Sequence, residues 1–222
     1  MIVHSADPIT LIGGSRNSRQ ALDQALTIAP YLVAADGGAN QALAHGIVPK
    51  AVIGDLDSLN RASRGVIPES CQHKISEQNS TDFDKCMRNI QAPLILAVGF
   101  TGARTDHQLA AFNTLVRHPQ RRCLLIGETD LIFLAPPSLR LDLPPGCRLS
   151  LFPMGAVEGV SDGLRWPIAG INFAPDGRVG TSNQTTGPVD LSFTAPKMLV
   201  IVPVDMFELT VAALQDTLPT WE

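Results

Sequence analysis

Nowhere in this sequence do two cysteines stand two residues apart. Cys71, Cys86, Cys123 and Cys147 are scattered. That excludes a CxxC redox pair or zinc knuckle, and it is no framework for a disulfide-stapled fold. The four read as buried thiols of a reducing compartment. Basic runs are also missing. The net charge is −4, and no aromatic residues interleave with a basic stripe, which argues against a general nucleic-acid surface. No uninterrupted apolar stretch approaches the roughly 20 residues of a membrane span. The N-terminal MIVHSADPITLIGG lacks a basic n-region and meets Asp7 early, unlike a signal peptide. There is no GxxxxGK[ST], and GGSRNS after the first apolar run is not a GxGxxG fingerprint. Repeats and low-complexity tracts are absent too. The expectation is a cytoplasmic protein with no membrane or nucleic-acid partner.

With 222 residues, 45% of them hydrophobic, the chain can bury a core as one large domain or two small ones. Its first part alternates two patterns. ITLIGG, YLVAADGG, KAVIGD, APLILAVG and RRCLLIG are short apolar runs with glycine or polar exits. SRQALDQALTIA, ANQALAHG, TDFDKCMRNI and TDHQLAAFNTLVRH have helical character. Strands alternating with helices predict an α/β domain over 1–135, with a doubly wound, mostly parallel sheet. From about 136 to 222, prolines and period-two stretches such as LRLDL and CRLSL take over. They predict a small antiparallel β domain. The last stretch, FELTVAALQDTLPTWE, stays open between helix and tail.

Acidic residues in the first part fall where strands end or helices begin. Asp36 follows YLVAA, and Asp55 and Asp57 follow AVIG. Asp82 and Asp84 open one helix and Asp106 another. In a doubly wound sheet those positions can face one crevice at the carboxyl ends of the strands. Along an extended chain, side chains two apart point the same way, so Asp55 and Asp57 would repel one another without a cation. Oxygen-only ligands suit Mg²⁺, which usually bridges to phosphates. Gly13, Gly14, Gly37, Gly38 and Gly102 would let backbone N–H groups approach an anion. Helix starts near Asn40, Asp82 and Asp106 would add positive dipole ends.

Plainer readings stand beside these. In STDFD the aspartates cap a helix. Asp106 serves the dipole of its own helix, and Asp36 before two glycines is turn chemistry. Arg104 is either a surface partner of Asp106 or a clamp for phosphate oxygens.

ADGGAN, GDLDS, QNSTDFDK and GFTGARTDH occur in this order and at suitable spacing. Downstream come PPGCRLSLFPMG, GVSDGLRWPI and GTSNQ. Together these motifs resemble the thiamine pyrophosphokinase family over nearly the whole chain. The resemblance implies an α/β nucleotide domain followed by a β-sandwich. It implies a homodimer whose active sites draw on the α/β domain of one chain and the β domain of the other. The implied reaction moves a pyrophosphoryl group from ATP to the hydroxyl of thiamine, leaving AMP. By motif, Asp55, Asp57 and Asp82 would hold Mg²⁺. Asp36, Gly37, Gly38, Asn40, Gln78, Thr81 and Arg104 would line the ATP site. Asp57, Asp82, Arg104 and Asp106 would serve transfer. Trp166, Ser182 and Asn183 would contact thiamine.

Where the family usually reads Gln-Asp, this chain has Gln78-Asn79. Either that position lies outside the metal's reach or metal affinity is lowered. A tryptophan in a small β domain is more often core than ligand, but Trp166 sits among turn residues, and thiamine's rings suit a flat aromatic face. Two other classes remain open: a Mg-dependent nucleotide pyrophosphohydrolase, and a non-catalytic thiamine or nucleotide binder.

Overall fold

The computed structural model describes residues 1–15, 19–102, 104–217 and 220–221. They form two compact units. Unit 1 is Met1–Thr114 with Leu125–Glu128, and unit 2 is Leu115–Leu124 with Thr129–Glu222.

In unit 1 the elements run β1 (Val3–His4), β2 (Ile9–Ile12), α1 (Arg19–Ile28), β3 (Tyr31–Ala35), α2 (Gly38–Ala44), β4 (Ala51–Gly54), α3 (Arg61–Val66), β5 (Gln72–Lys74), α4 (Asp82–Asn89), β6 (Ile90–Gln91) and β7 (Ile95–Val98). Then α5 (Thr105–Arg117) and β8 (Cys123–Ile126) carry the chain across the division between the units. The strands β5, β4, β3, β2 and β7 pair in that order, all parallel. Every residue of β2, β4 and β7 is buried. A parallel sheet covered on both faces explains why these strands read as continuous apolar runs without alternation. The order carries the information that matters for function. Strands β2 to β5 march outward to one side, and the chain then returns to place β7 against the opposite edge of β2. That reversal opens a crevice at the carboxyl ends of β2 and β7.

Unit 2 contains β9 (Asp130–Leu134), β10 (Ser138–Leu141), β11 (Arg148–Pro153), β12 (Gly159–Leu164), β13 (Gly180–Phe193), β14 (Met198–Pro203) and α6 (Phe207–Asp216). All its strand pairs are antiparallel. β9 pairs β14, β14 pairs β11, and β11 pairs the first part of β13. Farther along, β13 pairs β10 and β12. Burial alternates along β10, as one buried face requires.

Taken together the strand pairing is mixed, parallel among β2, β3, β4, β5 and β7 and antiparallel in unit 2. Asp130–Leu134 lies in unit 2, a few residues before the expected boundary, because it pairs antiparallel with Met198–Pro203. GTSNQ and VDLSF are parts of one 14-residue strand. FELTVAALQD is helix; Arg122 donates to the carbonyls of Leu214 and Thr217 at its C-terminal end, where helical carbonyls lack partners.

Candidate functional site: an acidic cleft in unit 1 and an aromatic cleft in unit 2

A cleft of about 780 Å³ lies where the crevice is expected. Gly14 and Ser15 reach it from the end of β2, and Asp36 and Gly37 from the end of β3. Asp55, Asp57 and Ser58 come from the end of β4, and Gly99 and Phe100 from the end of β7. Gln78, Thr81, Asp82, Lys85, Arg104 and His107 also line it. Phe83 lines it as well, packed against Phe100 at a centroid separation of 4.5 Å.

Two backbone features bring the acids together. Asp36 (φ 40°) and Leu56 (φ 65°) adopt left-handed conformations, which aspartate tolerates and a bulky residue such as leucine rarely accepts outside over-determined sites. Gly54 is the other. A Cβ there would stand 2.6 Å from the Cβ of Asp36 and 3.1 Å from Asp82 Oδ1, so only glycine lets these carboxylates converge.

As a result Asp36, Asp55 and Asp57 each offer a carboxylate oxygen, all within 4.8 Å of one another. Asp36 is buried. Its Oδ2 accepts from Ser58 N–H at 3.1 Å, while its Oδ1 is buried without a hydrogen-bond partner. Burial pushes the Asp36 carboxyl above its ordinary range, against hydrogen bonds from Ser58, and the charges of Asp82 and Asp55 push the same way. A buried carboxylate oxygen without a donor is costly, and a divalent cation is the ligand that would relieve it.

The premise that Asp55 and Asp57 flank an extended residue does not hold, because Leu56 turns the chain. Asp57 N–H donates back to Asp55 Oδ1 at 3.2 Å. The compensating cation is also partly present in the sequence. Lys85, 1% exposed, places Nζ 3.0 Å from Asp82 Oδ1 and 3.3 Å from Asp55 Oδ2. Burial pulls its ammonium pKa down, yet hydrogen bonds to Asp82 and Asp55 and their charges hold it raised overall. For Asp55 burial works upward. Donors on Asp57, Gln78 and Lys85, with the Lys85 charge, bring it below the ordinary range. The sequence reading missed Lys85. Its signal was the i, i+3 spacing from Asp82 on one helix. Asp36 thus joins Asp55 and Asp57 in the tight carboxylate cluster, and Asp82 lines the same cleft, tied to Asp55 through Lys85.

Several expected residues keep their place in this cleft. Gln78 Nε2 donates to Asp55 Oδ2 at 2.9 Å. Thr81 both lines the cleft and caps α4, accepting from Asp84 N–H at 3.3 Å. Asn40 lines it too, but its amide is spent on the neighbouring loop, donating to Ser58 O and accepting from Asn60 N–H. Others do not line it. Gly38 packs instead against the end of β2, where a Cβ would stand 2.1 Å from Ile12 O. Asp106 forms a forked pair with Arg104, at 2.6 and 3.2 Å, with both side chains about two-thirds exposed. Arg104 lines the cleft and Asp106 does not. Asn79 is exposed and outside the lining. Ala103 lies outside the described residues.

Unit 2 holds a second cleft, of about 540 Å³. Trp166, Ser182 and Asn183 line it with Ile168, Phe173 and Arg178. Trp166 is not core. It is 53% exposed, and the Arg165 guanidinium lies 4.9 Å from its ring centroid.

Residues 22–126 match the family model described as thiamin pyrophosphokinase, catalytic domain. Every acid of the cleft lies inside that span. The matched span is a little under half of the chain, and over it the chain is similar to the thiamine pyrophosphokinase family. Thiamine pyrophosphokinase 1 of Arabidopsis thaliana is 29% identical over 188 residues, which is 67% of this chain and 68% of that one. Thiamine pyrophosphokinase 2 of the same plant is 30% identical over 159 residues, 61% of this chain and 58% of the relative. Among solved structures, thiamin pyrophosphokinase from Candida albicans superposes with a TM-score of 0.74. The identity is 16%, with 92% of this chain and 94% of that chain covered. The yeast enzyme gives 0.73 at 20% identity, covering 91% and 88%. At such identities the structural likeness is one of fold. It extends past the matched catalytic span into unit 2, where Trp166 and Asn183 lie.

Proposed function

We propose that this chain transfers a pyrophosphoryl group from ATP to thiamine, giving thiamine diphosphate and AMP. The thiamine hydroxyl oxygen bonds to the β-phosphorus and the bridge between the α- and β-phosphorus atoms breaks. Its electron pair leaves with AMP, and the hydroxyl proton passes to a carboxylate or to water. The observation that carries the reading is the acidic cleft at the strand ends. There, three carboxylates lie within 4.8 Å and one buried oxygen has no donor, in a chain similar to the thiamine pyrophosphokinases.

A divalent cation, which we take to be Mg²⁺, fits that donor set: hard oxygens on a polyphosphate-sized cleft. Asp55 and Asp57 would hold it with Asp36 and Asp82 beside them, and when bound it would neutralise phosphate charge. The chain's own residues do the rest. Lys85 holds Asp55 and Asp82 in place. Gln78 orients Asp55. Gly37 and Thr81 line the path of the nucleotide. Arg104 is placed to fork phosphate oxygens, with Asp106 orienting its guanidinium from outside the cleft. Asp57 and Asp82 are the carboxylates on hand to receive the hydroxyl proton. Trp166 offers thiamine's rings a flat face.

The finer architecture belongs to the same proposal: a doubly wound unit 1, a β-sandwich in unit 2, and a cytoplasmic homodimer with sites shared between chains. Among the described residues no helix is long and apolar enough to cross a membrane. The exposed aromatic cleft favours a transferase over a plain pyrophosphohydrolase, which has no use for it. The test is AMP release from ATP with purified protein, with and without thiamine and with and without Mg²⁺. Release that requires both supports the transferase, release without thiamine supports the hydrolase, and no release supports a binding protein.

A further inference from the structure

Asn183 is one of the few polar side chains buried in unit 2, at 7% exposure. Its amide is largely committed. Oδ1 accepts from Trp166 N–H at 3.2 Å and from Gln184 N–H at 2.8 Å, and Nδ2 donates to Trp166 O at 2.7 Å. An asparagine amide offers two acceptor sites and two donor hydrogens. Both acceptor sites and one donor are therefore in use within the chain. Two of the three bonds bracket a single residue, taking both the N–H and the C=O of Trp166. A residue held at both ends of its backbone has its Cα–Cβ direction fixed.

The local chain is shaped to deliver this bracket. Between β11 and β13 the register steps from Leu149 opposite Asn183 to Leu151 opposite Gly180. Two residues of β13, Thr181 and Ser182, thus oppose Ser150 alone. That is a β-bulge, a device that re-aims a side chain beside functional sites. Ser182 takes the strained left-handed turn at φ 58°, and its N–H donates to Ser150 Oγ at 3.0 Å. Arg165 is tied down as well, its N–H donating to Gln184 O at 2.8 Å and its Nη1 to Gln184 Oε1 at 3.2 Å. It lies over the indole but does not line the cleft. An indole that is half exposed would ordinarily be free to change rotamer. This one is bracketed along its backbone and braced by a tethered guanidinium.

We infer that Asn183 is a positioning residue for Trp166, not a thiamine ligand. It pre-organises the aromatic face against which thiamine is taken up. The inference rests on the thiamine reading above. A pre-ordered face removes the ordering cost from binding, so loss of the bracket raises the thiamine requirement without touching the chemistry at the phosphates.

The test uses Asn183→Asp, which keeps the two accepted bonds and cannot donate to Trp166 O. Asn183→Ser, neutral and smaller, serves if the first variant does not fold. The thiamine KM should rise roughly tenfold, within the range an aromatic stacking face is worth, while kcat and the ATP KM stay within about twofold. In a Trp221→Phe background, where Trp166 is the one remaining tryptophan, thiamine-free fluorescence anisotropy should decay faster in the variant. In a Trp166→Phe background the same substitution should add little, because both changes act through one group. A raised KM with unchanged Trp166 motion, or full additivity with Trp166→Phe, would mean direct contact and overturn the inference. So would an unchanged thiamine KM in a variant of an otherwise thiamine-dependent enzyme. A wild-type protein with no thiamine-dependent AMP release would instead overturn the thiamine reading itself, and this inference with it.

Discussion

Replacing Lys85 by methionine removes the one ammonium held between two carboxylates in the acidic cleft, at nearly constant side-chain length. Lys85 is almost wholly buried, Asp55 has 13% of its side chain exposed, and Asp82 33%. Deleting one partner of a buried pair costs about 3–5 kcal/mol. The lower end applies here. Asp82 reaches water, and Asp55 keeps its bonds from Asp57 N–H and Gln78 Nε2. A loss of about 3 kcal/mol lowers the melting temperature of a chain this size by roughly 6–12 °C, measurable by circular dichroism. The pH dependence follows from the signs. The Asp55 carboxyl is held below its ordinary range in the folded state. Its contribution is therefore present above the unfolded value near 4 and is lost as pH falls through the lowered folded value. Lys85 is held above its ordinary value, so its contribution persists until strongly alkaline pH. The gap between wild type and Lys85→Met should be flat from pH 6 to 9 and narrow toward pH 3. A gap under about 2 °C at pH 7, or one that stays constant into acid, would refute the ion-triad account.

Four further outcomes are expected. Asp57→Asn removes charge at constant shape and should lower turnover about a hundredfold or more, with the melting temperature nearly unchanged. Near wild-type turnover would remove Asp57 from the metal set. Asn79→Asp should leave the Mg²⁺ concentration for half-maximal rate unaltered, because Asn79 lies outside the cleft lining; a lower requirement would bring it within reach of the ion. Burial pushes the thiols of Cys86 and Cys123 up, so iodoacetamide at pH 8 should label at most Cys71 and Cys147 in the native protein and all four after denaturation. Labelling of Cys86 in native protein would contradict its burial. Co-refolding inactive Asp55→Asn with inactive Trp166→Ala should restore up to about a quarter of wild-type activity if dimer sites are shared; mixed dimers without recovery would refute sharing.

Long-range order was legible where burial dominates. β2, β4 and β7 are buried along their whole length, so their apolar runs announced themselves. α3 and β5 went unremarked because six and three residues carry no periodicity. The long strand β13 was not legible as one element, since its bulge and left-handed Ser182 interrupt the alternation. In the site, the family motifs named most of the cleft, but motif order does not reveal which oxygen meets which partner. Asp36 stands closest to Asp55 and Asp57 because of its left-handed turn, and Lys85, three residues along α4 from Asp82, links Asp82 to Asp55. Asp106 was grouped with the reacting residues by its motif neighbours. Its position one residue into α5 lets Arg104 fold onto it at the surface. Left-handed Leu56 left no mark in the sequence, because leucine rarely takes that turn, whereas Asp36 before two glycines had at least the look of turn chemistry.

The central claim is transfer of a two-phosphorus unit to thiamine. Phosphorus NMR of a reaction containing purified protein, ATP, thiamine and Mg²⁺ tests it directly. The account predicts thiamine diphosphate and AMP appearing in equal amounts, with no ADP and no free pyrophosphate. ADP with thiamine monophosphate, or AMP with pyrophosphate at a rate indifferent to thiamine, would contradict it.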